Sequence, residues 1–388
     1  MKVLIIGTAF PLRGGIAHYV SLLYRTLEKR GHSVGIISFS RQYPKFLFPG
    51  KSQDEPTGSS TPQPPPLAEV GEPVIDSVNP VSWFKAGMIA AKQQPDLLIF
   101  KFWLPFFAPA YGVIARVAKR ITRKQGKECK VIFIADNVIP HEKRPGDLAF
   151  TKFAFRAVDY FIVQSDSVER DLIIVAPSAK YIKLAHPIYE IFGERMDRSE
   201  ARSALGIPDD APAILFFGFI RKYKGLDIIL RAMPAMLKVQ PELRLIVAGE
   251  YYTDKDEYIA LIKELGIPEK NLVLATDYIA NEEVAKYFSA ANVTVLPYRS
   301  ATQSGIVQIA YNFDTPVIAT NVGGLPEVVI HEKSGLIMDE ATPEAVTAGV
   351  LRFFNEGMEQ KLTAGVIEEK KKYSWDTFVE GIEKLVTT

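Results

Sequence analysis

Short runs of Val, Ile, Leu and Phe recur along this chain, and most are followed by a stretch whose apolar residues repeat at helical spacing. In the first half the apolar runs fall at 3–7, 33–38, 96–100, 130–135 and 160–164, with helical patterns at 15–30, 111–124 and 168–175. Strands that read as unbroken apolar runs are covered on both faces, so this rhythm predicts a parallel sheet between two helical layers. After His186-Pro187 and a helical stretch at 199–205 the rhythm restarts. Strand runs at 213–217, 243–248, 272–275, 293–297 and 316–319 alternate with helical patterns at 226–239, 258–265, 281–289 and 306–312. The 388 residues suffice for two such domains. Ligands of open sheets bind beyond the carboxyl ends of the strands, so a site is expected in a cleft where two sheets face each other.

Composition narrows the class. Hydrophobic residues at 47% and charged residues at 23% are ordinary for a globular chain. A single cysteine, Cys129, can form neither an internal disulfide nor a thiolate metal cage, so a cytoplasmic setting is expected. A net charge of +1 argues against a nucleic-acid partner, yet residues 1–190 hold 25 Lys and Arg against 16 Asp and Glu, and the remainder 21 against 29. The basic half suits something anionic, either a membrane surface or a phosphorylated substrate. The opening apolar run is shorter than a signal-peptide core and reads as a strand. Residues 97–115 carry one charge, Lys101, over the length of a membrane span, but Pro105 and Pro109 break them, and a buried strand opening into a loop is expected. Arg116, Lys119, Arg120, Arg123, Lys124, Lys127 and Lys130 then face a single Glu128 and read as one basic helix. It is either a solvated face or a docking face for anionic lipid headgroups, which would place the protein peripherally on the inner face of the cell membrane. Residues 49–73, with Pro62, Pro64, Pro65 and Pro66, read as a long surface loop, either a disordered excursion or a flap near an acceptor site.

Three loops carry the chemistry. Pro11-Leu12-Arg13-Gly14-Gly15 joins the first strand to a helix, and Gly14 and Gly15 allow a phosphate or sugar hydroxyl to approach the backbone, although a plain tight turn reads equally well. The spacing is neither a dinucleotide fingerprint nor a P-loop, which disfavours a dehydrogenase or NTPase. In the second half Gly218-Phe219-Ile220-Arg221-Lys222-Tyr223-Lys224-Gly225 places cations at a strand's carboxyl end, where Arg221 and Lys224 are suited to neutralise a diphosphate. Thr302-Gln303-Ser304-Gly305-Ile306-Val307 opens another helix, whose amides offer a second anion seat. Asp254-Lys255-Asp256 has the form of a metal-holding DxD but sits where acids favour a helix start.

The order of these loops, with PVIATNVGGLPEVV at 316–329 and HEKSGLIM at 331–338, resembles the retaining glycosyltransferases of family 4 (glycosyl transferases group 1), along essentially the whole chain. The resemblance implies the GT-B fold, an α/β architecture of two Rossmann-like parallel-sheet domains facing each other across a cleft. Residues 1–188 would form the acceptor side, with a terminal helix at 375–388 packing back on it, and residues 189–374 the nucleotide-sugar donor domain. In Asp136-Asn137-Val138-Ile139-Pro140-His141-Glu142 the family's usual histidine is Asp136, which leaves Asp136 or His141 for its place beside the donor sugar; His141 reads equally as a structural histidine. The family's acidic pair falls at Ala301 and Ile309, with Gln303 and Gln308 the nearest polar groups. The arginine usual after Gly218 is Phe219, so Arg221 must supply that charge.

By this resemblance the chain is expected to move a sugar from a nucleoside-diphosphate sugar to a hydroxyl of a glycan or lipid-linked acceptor in cell-envelope polysaccharide biosynthesis. Asp136, His141, Arg221 and Lys224 are the catalytic candidates. Gly14, Gly15, Gln303, Ser304, Gly305, Ile306, Val307 and Gln308 would bind the donor, with no metal or other cofactor. Loss of the acids leaves two alternatives: a noncatalytic nucleotide-sugar-binding subunit, or a sugar-nucleotide epimerase of the same fold.

Overall fold

A computed structural model describes residues 1–44, 53–54, 73–140 and 144–387 and divides the chain into two units. The first runs to Pro187 and takes in the residues from Ser374 onward; the second is Ile188–Tyr373. The expected surface loop at 49–73 lies almost wholly outside the described residues.

The first unit is built on β1 (Lys2–Ile6), β2 (Ser33–Ile37), β5 (Leu97–Phe102), β6 (Lys130–Ala135), β7 (Tyr160–Val163) and β8 (Tyr181–Lys183), all parallel in the order β2-β1-β5-β6-β7-β8. Two short strands, β3 (Phe39–Arg41) and β4 (Ile75–Asp76), pair separately. Helix α1 (Gly15–Lys29) covers one face, while α2 (Pro80–Lys92), α3 (Ala108–Lys124), α4 (Asp147–Phe155) and α5 (Asp166–Val175) pack on the other. All six residues of β5 are buried, as a central strand between two helical layers requires. Leu98, Phe100 and Phe102 join the core under α2–α5, and Lys101 points the opposite way, onto the ring of Tyr19 from α1.

The apolar stretch at 97–115 is therefore β5, a 3-10 turn at Pro105–Phe107 and the start of α3. No helix among the described residues is long and apolar enough to cross a membrane. The expected basic helix ends at Lys124. Lys127 lies in the following turn against Asp96, 2.8 Å away, and Lys130 opens β6. Helices α2 and α4 and strand β8 are additions to the elements that the sequence pattern announces. Asn79 caps α2 by accepting from the Val81 amide, and Pro80 stands at its first position, where a missing N–H is harmless.

The second unit repeats the plan with β9 (Ala213–Phe217), β10 (Arg244–Ala248), β11 (Leu272–Ala275), β12 (Val293–Leu296), β13 (Val317–Thr320) and β14 (Gly335–Met338), parallel in the order β11-β10-β9-β12-β13-β14. Its helices are α6 (Arg198–Ala204), α7 (Leu226–Val239), α8 (Lys255–Glu264), α9 (Val284–Ala290), α10 (Gly305–Asn312), α11 (Leu325–Val328), α12 (Pro343–Asn355) and α13 (Glu359–Glu369). The terminal helix α14 (Trp375–Thr387) belongs to the first unit: Trp375 meets Tyr19 edge-on at 4.9 Å. Glu383 accepts from Arg30 at 2.6 Å, which holds its carboxyl down to about 2. Two parallel-sheet α/β domains, the expected architecture, are what the chain forms.

Candidate active site

In the second unit the cationic loop leaves the carboxyl end of β9, the strand whose five residues are all buried. Gly218 has φ +92, and a Cβ there would stand 3.1 Å from Lys224 Nζ and 3.0 Å from Ile306, so the absence of a side chain lets the lysine and the start of α10 close over the backbone. Lys224 is 8% exposed, with its ammonium 5.8 Å from the centre of the Tyr298 ring. Burial, aided by the charge of Arg221, lowers its pKa to about 7. The neighbouring cations differ in their company. Lys222 faces Glu257 at 3.3 Å and Arg299 is held by Asp227 at 2.6 Å, but neither Lys224 nor Arg221 has a carboxylate partner among the described residues. Arg221 is exposed and lies 5.1 Å from the ring of Tyr252, on which Phe219 also packs.

Ser304 caps α10, accepting from the Ile306 amide at 3.3 Å and, through its carbonyl, from the Val307 amide at 3.2 Å. Of the amides expected to seat an anion, those of Ile306 and Val307 are thus already bonded to Ser304. Tyr298 Oη lies 3.3 Å from Ser304 Oγ, and the Tyr189 ring stands 3.2 Å from where a Gly305 Cβ would be. Gln308 is buried within the unit, its Oε1 without a partner among the described residues, and Ile309 is buried beside it. The glycine motif after β13 serves the backbone. Gly323, at φ +54, would drive a Cβ to 1.6 Å from the Ala301 carbonyl, and the Gly324 amide donates to Thr302 O at 3.0 Å. The motif therefore fixes the segment that leads into α10. Asp254 of the DxD caps α8, accepting from the Asp256 amide at 3.0 Å.

In the first unit Asp136 follows β6 and is 7% exposed. Its carboxylate accepts from Lys101 Nζ at 2.6 Å, and the same ammonium donates to Gln164 Oε1 at 3.2 Å while lying 3.6 Å from the Tyr19 ring centre. Gln164 in turn donates to Tyr19 Oη at 3.2 Å. His186 packs edge-on against Tyr19, donates Nδ1–H to the Pro187 carbonyl at 2.7 Å, and is kept neutral, its pKa lowered to about 3 by burial and by the charge of Lys101. Burial lowers the pKa of Lys101 as well, against the pull of Asp136. Asp136 is thus engaged in a buried ion pair. Sequence reasoning misses Lys101, Gln164, Tyr19 and His186 as a group, and Lys101 stands out in it only as the one charge of an apolar stretch. His141 lies outside the described residues. Gly14, at φ +106, precedes the first turn of α1 with no side-chain cap, and Gly15 is open to solvent.

Two parallel α/β units, with a cationic glycine loop at a strand end of the second, are a scaffold that serves many chemistries, and comparison with known proteins narrows the class. Residues 197–373, most of the second unit, match the family model of glycosyl transferases group 1. It is 26% identical over 385 residues to D-inositol 3-phosphate glycosyltransferase 1 of Catenulispora acidiphila, covering 90% of this chain and 88% of that one. It is 29% identical over 235 residues to the D-inositol 3-phosphate glycosyltransferase of a Nocardioides species, where the match takes 57% of this chain and spans about half, 51%, of the relative. Among solved structures, Anabaena HepE in complex with UDP superposes with a TM-score of 0.75 at 16% identity over all of both chains. Sucrose-phosphate synthase of Thermosynechococcus elongatus does so with 0.71 at 18%, over 99% of this chain and 98% of that one. At such identities the likeness establishes the fold, GT-B.

Proposed function

We propose that this chain is a group 1 glycosyltransferase and transfers a sugar, with retention at the anomeric carbon, from a nucleoside-diphosphate sugar to a hydroxyl of a glycan or lipid-linked acceptor in cell-envelope polysaccharide synthesis. The observation that carries the reading is Lys224: a buried ammonium at a strand's carboxyl end, beside Gly218 and the start of α10, without a carboxylate to balance it among the described residues. A diphosphate supplies the missing charge. As the glycosidic bond breaks, charge accumulates on that leaving group, and Lys224 with Arg221 at the mouth of the loop stabilises it. Structures of Anabaena HepE are of complexes with UDP and UDP-glucose, and that ligand class suits this loop.

Screening nucleotide sugars by thermal unfolding identifies the donor, because a ligand at 100 times its Kd adds about 2.7 kcal/mol to stability. A donor that stabilises the protein and is then consumed, by transfer or slow hydrolysis, supports the reading. Ala301 and Ile309 stand where the family has acids, which favours one alternative, a noncatalytic nucleotide-sugar-binding subunit; stabilisation with no turnover under any acceptor would establish it. The cations of the loop take the charge-neutralising part that a metal plays elsewhere, so activity is expected to persist in excess EDTA. Loss on chelation with rescue by manganese would reject this account of leaving-group departure.

A further inference from the structure

Three helices of the first unit, α2, α3 and α4, lie side by side over one face of its sheet. Their approach is close: a Cβ on Gly87 of α2 would stand 2.7 Å from Val117 of α3, and one on Gly112 of α3 would stand 2.7 Å from Phe153 of α4. The outward surface of this layer is unusual in two ways. On α2, Val81, Phe84 and Met88 are 74%, 54% and 53% exposed at i, i+3, i+7 spacing, so they form one apolar stripe turned to solvent. On α4, Leu148 and Phe150 are 53% and 46% exposed. Between and around them the three helices carry eight Lys and Arg against one acid, Asp147. Lys119 is neutralised by Asp159, and Arg116 donates to the Gly112 and Phe153 carbonyls. Lys85, Lys92, Arg120, Arg123, Lys124 and Lys152 have no acidic partner among the described residues.

We infer that this face docks on an anionic lipid bilayer, with the α2 and α4 side chains entering the headgroup boundary and the unpaired cations meeting lipid phosphates. A solvated face would not expose an apolar stripe on one helix and two further large apolar side chains on another, and a nucleic acid would use the cations and leave these side chains wet. An interface of two copies would bring the same positive field against itself, which the scarcity of acids leaves uncompensated. The sequence suggests a basic helix alone; the structure adds the apolar stripe of α2 and the exposed Leu148 and Phe150 of α4, on the two helices that pack against α3.

The test is sedimentation of the full chain with phosphatidylcholine vesicles and with phosphatidylcholine–phosphatidylglycerol mixtures, at low and high salt. It reads no activity, so its failure would leave the transfer reaction standing. Binding is expected to the anionic mixture alone. Replacing Arg120, Arg123 and Lys124 together by Gln should weaken it roughly 100-fold. The pair Phe84→Ser and Met88→Ser should weaken the part of the binding that survives salt, since screening removes the electrostatic share and leaves the apolar one. Unchanged thermal unfolding of both variants shows that they fold. Equal binding to neutral vesicles, no binding to either, or wild-type binding by the Phe84/Met88 variant would overturn the inference. So would a dimer that this variant dissociates, for a second copy would then be what covers the face.

Discussion

Asp136→Ala is expected to destabilise the first unit by about 3–5 kcal/mol, because it leaves the Lys101 ammonium buried without its counter-charge. Lys101 is 1% exposed in the middle of a parallel sheet, and its remaining polar company is the Gln164 amide and the face of Tyr19. The loss should appear as a lower urea midpoint of the first unit's transition at unchanged slope. Its pH dependence has a definite sign. Without Asp136 the native pKa of Lys101 falls further below that of the unfolded chain, so between the two values the unfolded state binds the extra proton, and stability rises with pH. The deficit should therefore be largest near neutrality and shrink toward about pH 10. Lys101→Met combined with Asp136→Leu should recover most of the loss, since an apolar pair of similar volume carries no desolvation cost. A variant Asp136→Ala as stable as the wild type but without turnover would show that the carboxylate serves the reaction directly.

This pair also marks the limit of what can be read from the residues. Register along a parallel sheet sets Lys101 opposite Ile134, which brings a charge from β5 beside an acid that follows β6, 35 positions on. No local pattern announces such a meeting, and Lys101 inside an apolar run reads as an exception in a buried strand. Lys224 is legible because everything that defines it is local: a strand, a glycine, a tight loop and a helix within a dozen residues. The central strands are legible for a similar reason, their burial on both faces making them uniformly apolar. Helices α2 and α4 are not. The exposed Val81, Phe84 and Met88 on one, and Leu148 and Phe150 on the other, erase the polar side of the helical period, so the feature that hides these elements is the one that gives their surface a use. At α10 the expectation of open amides overlooks that a serine cap takes up some of those it precedes.

Lys224→Ala is expected to reduce turnover about 100-fold, or about 2.7 kcal/mol in the activation barrier, with a smaller change in donor affinity. The reason is differential: the departing diphosphate carries more charge than the intact donor, so a cation fixed beside it bonds the transition state more strongly. The lysine's lowered pKa, about 7, adds a signature that a simple binding contact would lack. In the ligand-free protein the ammonium is disfavoured by burial; a bound diphosphate favours it. Donor binding above about pH 7 must then take up a proton, and affinity should fall toward a roughly tenfold loss per pH unit until the pKa of the complex is passed. In Lys224→Ala that slope should vanish while the rest of the pH profile remains. Arg221→Ala should slow turnover too and also raise the ligand-free pKa of Lys224, moving the onset of the slope upward, because the Arg221 charge is the second cause of the lowering. Both readings come from one set of experiments, donor titration and initial rates across roughly pH 6 to 9 with saturating acceptor. If Lys224→Ala keeps wild-type turnover and only weakens donor binding, the lysine is a uniform-binding contact; if the slope survives its removal, the proton is taken up elsewhere and the ammonium is not the group that answers the diphosphate.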